Sequence, residues 1–359
     1  MMTAAATSYR RIEHRERTAF LTTTTSSCSE ENRSDTVIFA PHVAGICRSD
    51  LREIAGTRVG RCDFGHELVG TVLSTPPQLE ALRGRRVVFD PHPSLTRRTS
   101  GFADLVELTA DPRELAAALV LVPDGLTDPI AVFAEPLACA VHCVSRLQQV
   151  TTYLGIAPRT PVAVLGAGMA GTLICATLTA HGQPCVLMNR SRERIEFLRD
   201  RDALPYEILG ASPDRSGFGR VVLATADATP EDLATALRLL APDGLLVVFA
   251  GTRPGTSVGG LDIDRIRREQ LAHTFRTENG GVIVAGTYGA LRSDFREALS
   301  LLTAPPGPKG WSPAACVHRL TTGAVGLDAA AGHLNAHVEH RLFGKTLVHI
   351  RPPIPPEAS

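Results

Sequence analysis

The pattern of apolar and polar positions divides the chain into parts of different character. In the first third, short apolar runs such as 35–39 and 86–89 alternate with Gly and Pro, a pattern typical of irregular β structure. Residues 130–147 are apolar and rich in Ala and predict a helix, with Pro136 acceptable only in its first turn. Residues 1 to about 18 are charged and the tail from Arg351 is rich in Pro, so both predict loose ends.

Strand and helix patterns alternate between residues 151 and 250. Strands are predicted at 162–165, 185–188, 221–224 and 245–249, with helices ending at 180 and covering 192–200 and 232–240. This alternation predicts right-handed crossover units and a parallel sheet. A strand at 281–286, a helix at 294–302 and a final strand at 343–350 follow. We therefore predict an α/β fold, with a doubly wound domain at 151–290 inserted in a β-rich domain made from 19–150 and 291–359.

The amino-acid composition and net charge argue against some classes of binding partner. The 359 residues are 44% hydrophobic, enough to bury a core, and 37 Lys and Arg balance 37 Asp and Glu. A chain without net charge has no long-range attraction for nucleic acid or an anionic membrane, so we expect neither as a partner. The sequence contains no uninterrupted apolar run of about 18 residues, the length that a membrane span needs.

The number of cysteines and the composition of the N-terminal residues indicate the cellular compartment in which the protein is expected. Eight cysteines in this length are too few for a disulfide scaffold, and the N-terminus lacks the apolar stretch of a signal peptide. We therefore expect a soluble cytoplasmic protein with reduced thiols.

A glycine-rich turn follows the predicted strand 162–165. It reads Gly166-Ala-Gly168-Met169-Ala170-Gly171 and leads into an apolar helix. In the strand–turn–helix context, the three glycines permit a tight turn, close approach of a pyrophosphate, and close helix packing, and the helix N-terminus favours the phosphate charge. The alternative is a plain glycine-rich turn without a ligand. The context favours a dinucleotide site.

The end of the second strand of this domain indicates which dinucleotide binds. An NAD site usually presents an acidic residue there, whereas this chain has Asn189 and Arg190. Arg190 can pair with a 2′-phosphate through two parallel hydrogen bonds, and Ser191 and Arg194 can add donors. The alternative is that these arginines are the solvated start of a helix. We favour NADP(H) over NAD(H).

Three segments before the glycine turn carry residue types suited to metal chemistry. They read Gly45-Ile-Cys-Arg-Ser-Asp-Leu51, Gly65-His-Glu-Leu-Val-Gly70 and Ala134-Glu-Pro-Leu-Ala-Cys-Ala-Val-His142. In this order they resemble the zinc-dependent medium-chain dehydrogenase/reductase superfamily, and the third segment resembles its polyol and aminocyclitol dehydrogenase branch. The resemblance runs from about residue 35 to 350. It implies a GroES-like catalytic domain around an inserted Rossmann domain.

The resemblance also implies a ligand set. Cys47 and His66 are expected to bind one catalytic zinc, Glu67 to be a ligand or near neighbour, and Glu135 to supply the remaining carboxylate. Such a set of S, N and O ligands leaves one position open for water or substrate. Asp50 is expected to orient the His66 ring, and Ser49 to relay the proton of the alcohol.

Each of these residues also has a purely structural interpretation. Cys47 alone is compatible with a buried small hydrophobe, His66 with a core histidine, and the two glutamates with surface or capping positions. Their combination favours zinc. We interpret Cys139, Cys143 and His142 as packing residues, and Cys62 as a cysteine that does not bind metal.

The chain departs from the family pattern in several places. Relatives often carry a structural zinc held by four closely spaced cysteines, but no cysteine lies between Cys62 and Cys139, so we expect no structural zinc. Arg48 and Arg52 stand where relatives often have Gly and His, and Arg52 is expected near the substrate or the cofactor phosphates. His92 is a candidate substrate contact or an ordinary loop residue.

These observations predict an enzyme that transfers hydride between NADP(H), or NAD(H), and a secondary alcohol or ketone. By resemblance alone, the substrate is a polyol, cyclitol or sugar-like metabolite, and the protein is a homo-oligomer, a dimer or tetramer. Two alternatives remain open at this point: a zinc-using ketoreductase for a less polar metabolite, and a catalytically silent NADP(H)-binding protein.

Overall fold

A computed structural model describes residues 8–26, 34–58, 64–155, 160–209, 216–277, 280–307, 310–340 and 343–351. The chain divides into two compact units. The first unit comprises Met1–Glu135 and Thr321–Ser359, and the second unit comprises Pro136–Leu320. The predicted boundaries near 150 and 290 differ from this division. The difference arises because one helix runs without a break from 134 to 154, and because two further helices of the second unit follow residue 290.

The strands of the first unit are β1 (Ser8–Arg15), β2 (Thr18–Thr25), β3 (Thr36–Gly45), β4 (Glu67–Ser74), β5 (Arg86–Phe89), β6 (Arg97–Arg98), β7 (Val106–Thr109), β8 (Leu119–Leu121), β17 (Thr321–Gly326) and β18 (Lys345–His349). Its helices are α1 (Arg48–Ile54), α2 (Pro112–Ala118), α3 (Asp128–Ala131) and α11 (Leu327–His337), with a 3₁₀ helix at Pro77–Leu82.

The main sheet of the first unit has the order β17-β18-β3-β4-β5-β8, with β7 joining β3 and β6. All pairs except β17–β18 are antiparallel. Its core includes Phe39, Val72, Phe89, Phe102 and Val348. This is the β-rich domain that the sequence predicts from both ends of the chain.

Residues 8–15, expected to be loose, instead form an ordered strand, so that expectation was wrong. β1 pairs with β2 over its whole length, from Ser8 opposite Thr25 to Arg15 opposite Thr18. The burial of Tyr9 and Ile12 explains the order, since these two side chains lie on opposite faces of the strand and pack into two separate apolar clusters. Residues 1–7 and the tail from 352 lie outside the described part of the chain.

In the second unit, strands and helices alternate as predicted. Its strands are β9 (Val162–Leu165), β10 (Cys185–Met188), β11 (Phe218–Leu223), β12 (Leu240–Val248), β13 (Ser257–Val258), β14 (Leu261–Asp262), β15 (Ala272–Thr277) and β16 (Gly280–Gly286). Its helices are α5 (Met169–Ala180), α6 (Arg192–Asp200), α7 (Pro230–Leu239), α8 (Ile263–Arg268), α9 (Arg292–Thr303) and α10 (Pro313–Leu320), with a 3₁₀ helix at Tyr206–Ile208. α4 (Ala134–Leu154) starts at the end of the first unit and continues here.

The six-stranded sheet of this unit has the order β10-β9-β11-β12-β16-β15. Its first five strands are parallel, and only the edge strand β15 is antiparallel. The buried residues of this sheet are mostly Val, Leu and Ala, as expected for strands covered on both faces. The predicted α/β fold with a Rossmann-type sheet and a separate β-rich sheet is therefore confirmed.

One helical stretch, Asp128–Leu154, is long and apolar enough to cross a membrane by length and composition. It contains α3 and α4, and its most apolar window has a mean hydropathy of 1.5, with 72% of that window buried inside the structure. Pro136 lies in the first turn of α4, where its missing N–H costs no helical hydrogen bond. Such burial is typical of a core helix.

Candidate active site

Cys47 is placed by the junction between the last residues of β3 and the first turn of α1. It is the N-cap of α1, and its backbone N–H donates to Asp50 Oδ2 at 2.8 Å. The other oxygen of Asp50 accepts the Gly65 N–H at 2.9 Å, which joins the first and second predicted segments. One buried carboxylate thus fixes the backbone on both sides of the candidate metal ligands.

The side chains of Cys47, His66 and Glu67 converge. Each offers one potential metal-binding atom, and these three atoms lie within 4.8 Å of one another. His66 and Glu67 are buried, and Cys47 is partly buried. Sulfur, nitrogen and oxygen donors at this separation fit the mixed coordination of a catalytic zinc.

Asp50 and Ser49 lie on opposite sides of the His66 ring. Asp50 Oδ1 is 3.5 Å from Nδ1, and Ser49 Oγ is 3.4 Å from Nε2. Burial disfavours the charged ring, but Asp50 and Cys47 outweigh burial and raise the pKa of His66 well above its usual value. Burial likewise opposes the charge of Asp50, but His66 and the two backbone N–H groups lower the pKa of Asp50 overall. A carboxylate at Nδ1 leaves Nε2 as the nitrogen for a metal.

Glu67 has a charged partner that the sequence motifs do not indicate. Lys345 Nζ lies 2.5 Å from both carboxylate oxygens of Glu67, and both side chains are buried. Burial opposes the charge of Lys345, but Glu67, Cys47 and Glu135 together raise the pKa of Lys345. A signal was present in the sequence, since Lys345 is a lone charge at the start of the apolar strand Lys345–His349.

Glu135 is buried in the first turn of α4. Burial raises the pKa of its carboxyl group, and the negative charge of Glu67 adds to that effect. The positive groups His66, His92 and Lys345 oppose it. These electrostatic partners all belong to the first unit, so Glu135 lies in the electrostatic neighbourhood of the three converging side chains.

His92 is held in the segment after β5. Asp90 Oδ1 accepts both the His92 backbone N–H, at 2.9 Å, and a hydrogen bond from ring Nδ1, at 2.7 Å. The potential ligand atoms of His92 and Glu135 lie within 4.8 Å of one another. The structure therefore brings His92 beside Glu135, a proximity that spacing in the sequence does not show.

The two arginines of α1 and the cysteines outside the proposed ligand set were also singled out in the sequence. Arg48 donates to the His340 carbonyl at 3.1 Å, and Arg52 lies in the last turn of α1. Cys143 is fully buried, as expected of a packing residue, and Cys139 is partly buried. Cys62 lies outside the described residues.

His142 has the structural environment predicted for it. It is buried in the second unit, where its ring pairs with Asp294 at 2.8 Å and with Gln270 at 2.7 Å.

The glycine turn of the second unit has the predicted geometry. Gly166 has a φ of +118°, and a Cβ there would lie 2.7 Å from the Ala224 carbonyl group. A Cβ on Gly171 would overlap the Gly166 carbonyl oxygen, so this glycine permits close packing of α5. At Gly168 nothing lies within 4 Å of a Cβ position, which leaves room beside the N-terminus of α5, where Met169 and Ala170 form the first turn. These features fit the backbone approach of a pyrophosphate.

Asn189 and Arg190 follow β10 next to this turn. Asn189 Oδ1 accepts the Ala167 N–H at 3.0 Å, so the asparagine is tied to the glycine turn itself. Arg190 lies 3.2 Å from carboxylate oxygens of both Glu231 and Asp232. Local sequence patterns do not indicate this acidic pair, because about 40 residues of the chain separate it from Arg190.

Comparisons with known proteins agree with the fold. No family model matches the chain. D-arabinitol dehydrogenase 1 from Uromyces fabae is 26% identical over 171 residues, which are 43% of this chain and 47% of that protein, so the match spans about half of the relative.

Two solved structures are similar over nearly the whole chain. The structure of L-idonate 5-dehydrogenase from Escherichia coli has a TM-score of 0.68 at 16% identity, covering 97% of this chain and 100% of that one. A putative zinc-binding dehydrogenase from Sinorhizobium meliloti, bound to NADP, has a TM-score of 0.68 at 18% identity, covering 96% and 99%. The fold that the predicted resemblance implies is therefore confirmed: the chain shares the fold of these two dehydrogenases.

Proposed function

We propose that this chain is a zinc-dependent oxidoreductase that interconverts a secondary alcohol and a ketone with a nicotinamide cofactor. The observation that carries the proposal is the convergence of Cys47 and His66, whose potential ligand atoms lie within 4.8 Å of each other, with the Glu135 carboxylate in electrostatic contact with His66 and with Ser49 and Asp50 on either side of the His66 ring. Structural similarity supports the fold, and the local residues support the chemistry.

Cys47, His66 and Glu135 are the side chains that would hold the zinc. Glu67 is the nearer carboxylate, but its two oxygens are both occupied by Lys345, so we assign it to the electrostatic surroundings of the metal. A bound zinc would supply Lewis acidity toward the substrate oxygen. Asp50 would keep the His66 ring oriented through Nδ1.

Ser49 is the residue that we assign to proton transfer. Its hydroxyl lies next to His66 Nε2, on the side of the ring where a metal would bind, and a hydroxyl can both accept and donate a proton. During oxidation it would accept the alcohol proton and pass its own proton on to solvent, and during reduction both transfers would run in reverse. His92, held by Asp90 beside Glu135, is placed to contact a polar substrate.

The second unit would bind the cofactor. Gly166, Gly168 and Gly171 would admit the pyrophosphate at the N-terminus of α5, and Asn189 supports the turn through Ala167. Arg190, with Arg194 in the first turn of α6, would bind a 2′-phosphate, so we propose NADP(H) as the preferred cofactor. The nicotinamide would accept or donate the hydride.

A polyol, cyclitol or sugar-like metabolite is the substrate class that we propose. The partial match to D-arabinitol dehydrogenase 1 supports this class, as does the fold shared with L-idonate 5-dehydrogenase. We also propose that the protein is a homo-oligomer.

Cofactor reduction with a panel of polyols, aminocyclitols and sugars tests this function. We expect turnover with at least one polyol and a lower rate with simple apolar alcohols of the same size. Cys47→Ser serves as the control and should abolish turnover. Turnover that is equal in Cys47→Ser and wild type would contradict the proposed metal chemistry.

A further inference from the structure

Arg190 is not a free cation in this structure. Its guanidinium pairs with Glu231 Oε1 through Nη1 and with Asp232 Oδ1 through Nη2, both at 3.2 Å. These are the same two N–H directions that a bidentate phosphate contact would use. A 2′-phosphate that binds Arg190 must therefore displace both carboxylates from the guanidinium or share the guanidinium with them.

The two carboxylates differ in how firmly they are held. Asp232 is buried, with 5% of its side chain exposed, and it accepts a hydrogen bond from the Thr229 hydroxyl at 2.9 Å. The Glu231 side chain is 73% exposed. Both lie in the first turn of α7, where the helix dipole favours negative charge. Asp232 is thus a fixed anchor, whereas Glu231 is an exposed competitor.

The charges around Arg190 oppose a phosphate. One guanidinium faces two carboxylates, so this small cluster carries net negative charge before any ligand arrives. A 2′-phosphate adds close to two further negative charges at the same place. Glu231 repels the 2′-phosphate and also occupies one N–H side of the Arg190 guanidinium. Both effects weaken the binding of NADP(H). NAD(H) has a neutral hydroxyl at that position, so Glu231 neither repels it nor competes with it for Arg190.

We propose that Glu231 is a specificity-determining residue, which weakens the binding of the 2′-phosphate by competing with it for Arg190. The proposal rests on the proposed nicotinamide-cofactor function and on Arg190 as the phosphate contact. It extends that function by naming a residue of α7, outside the glycine turn and the β10 end, that sets the ratio of the two cofactor affinities.

The test measures dissociation constants of NADPH and NADH for the holoprotein by calorimetry at fixed salt. Glu231→Gln removes the charge and keeps the shape of the side chain. Because Glu231 is exposed, its effect is small, and we expect NADPH to bind about two- to fivefold more tightly, with NADH unchanged. In an Arg190→Ala background the same substitution should give a smaller gain, because the competition for Arg190 is then absent and only the direct repulsion is relieved.

Glu269→Gln is the matched control. Glu269 is also an exposed carboxylate at a helix end, paired with Arg265 at 3.1 Å in the same unit. Its removal changes the net charge by the same amount without touching Arg190, so we expect no change in the ratio of the two affinities.

The outcomes separate this inference from the proposed function. One outcome would overturn the role of Glu231 and leave the cofactor assignment intact. In that outcome wild type prefers NADPH, Arg190→Ala loses the preference, and Glu231→Gln and Glu269→Gln have the same ratio of NADPH to NADH affinity. If wild type binds both cofactors equally but Glu231→Gln creates a preference for NADPH, the role of Glu231 stands and the NADP(H) preference fails. A Glu231→Gln variant that strengthens both cofactors equally would also overturn the inference.

Discussion

Lys345 Nζ and the Glu67 carboxylate form a buried ion pair, with 2.5 Å from the nitrogen to each oxygen. Only 4% and 2% of the two side chains are exposed. Glu67 begins β4 and Lys345 begins β18, and β3 lies between these strands in the sheet. The pair therefore joins the Gly-His-Glu segment to the C-terminal end of the chain.

Removing one partner of this pair should be costly. Lys345→Met leaves the Glu67 carboxylate buried without a counter-ion, and we expect a loss of about 3–5 kcal/mol in the free energy of unfolding. Urea titration of the metal-free protein measures it. The double variant Glu67→Gln with Lys345→Met should recover most of that loss, since it buries no unpaired charge. A single variant as stable as wild type would show that the pair contributes little.

Gly45 makes room for Glu67. Gly45 lies opposite Glu67 in the sheet, and a Cβ at position 45 would overlap Glu67 Oε2. Gly45→Ala should displace the carboxylate and lower the free energy of unfolding by about 1–3 kcal/mol. Gly332→Ala is the control, because it adds a Cβ into open space on α11 and should be neutral or stabilising. Equal thermal midpoints for Gly45→Ala and wild type would refute the overlap.

Ser49→Ala tests the proton path. The variant should keep zinc and cofactor affinity but slow the chemical step, since general acid–base catalysis contributes about 10²–10⁴-fold. Single-turnover kinetics of cofactor reduction isolates that step from product release. A hydride-transfer rate that does not change would remove Ser49 from the relay.

His142 should make the stability of the second unit depend on pH. The hydrogen bond that the His142 ring donates to Asp294 raises the pKa of His142, Gln270 adds to the effect, and burial and Arg146 oppose it. A pKa that is higher in the folded state stabilises the fold below about pH 6.5, the usual histidine value, and this stabilisation is lost as pH rises through the raised pKa. Urea midpoints between pH 5.5 and 8.5 should fall for wild type and change less for His142→Gln. Parallel profiles for the two proteins would contradict this role.

The fold was predictable because its signals are local. The strands Val162–Leu165 and Cys185–Met188 and the helix Arg192–Asp200 have the predicted bounds, since each is bordered by Gly, Pro or a capping residue. The β1–β2 hairpin was missed because its buried residues Tyr9 and Ile12 lie three positions apart and on opposite faces, so β1 lacks the alternation that marks a half-buried strand. The antiparallel edge strand β15 carries no comparable pattern, since it is mostly polar.

The site was predictable only in part. Motifs predict Cys47, His66 and Glu135 as zinc ligands, because each lies in a short segment with its own signature, and the structure brings Cys47 and His66 together. Lys345 could not be paired with Glu67 from the sequence, because tertiary packing brings together two residues that are 278 positions apart. The acidic partners of Arg190 were missed for the same reason. The spacing of residues along the chain does not predict which side chains pair across a sheet or between distant elements.

Elemental analysis of zinc per subunit tests the central claim most directly. We expect one zinc in wild type, and less than a tenth of that in Cys47→Ser and in His66→Ala after dialysis against a weak chelator. Cys316→Ser, which replaces a buried cysteine of α10 in the second unit, is the matched control and should retain one zinc. Wild-type protein that is active without zinc, or Cys47→Ser protein that still binds one zinc, would contradict the account.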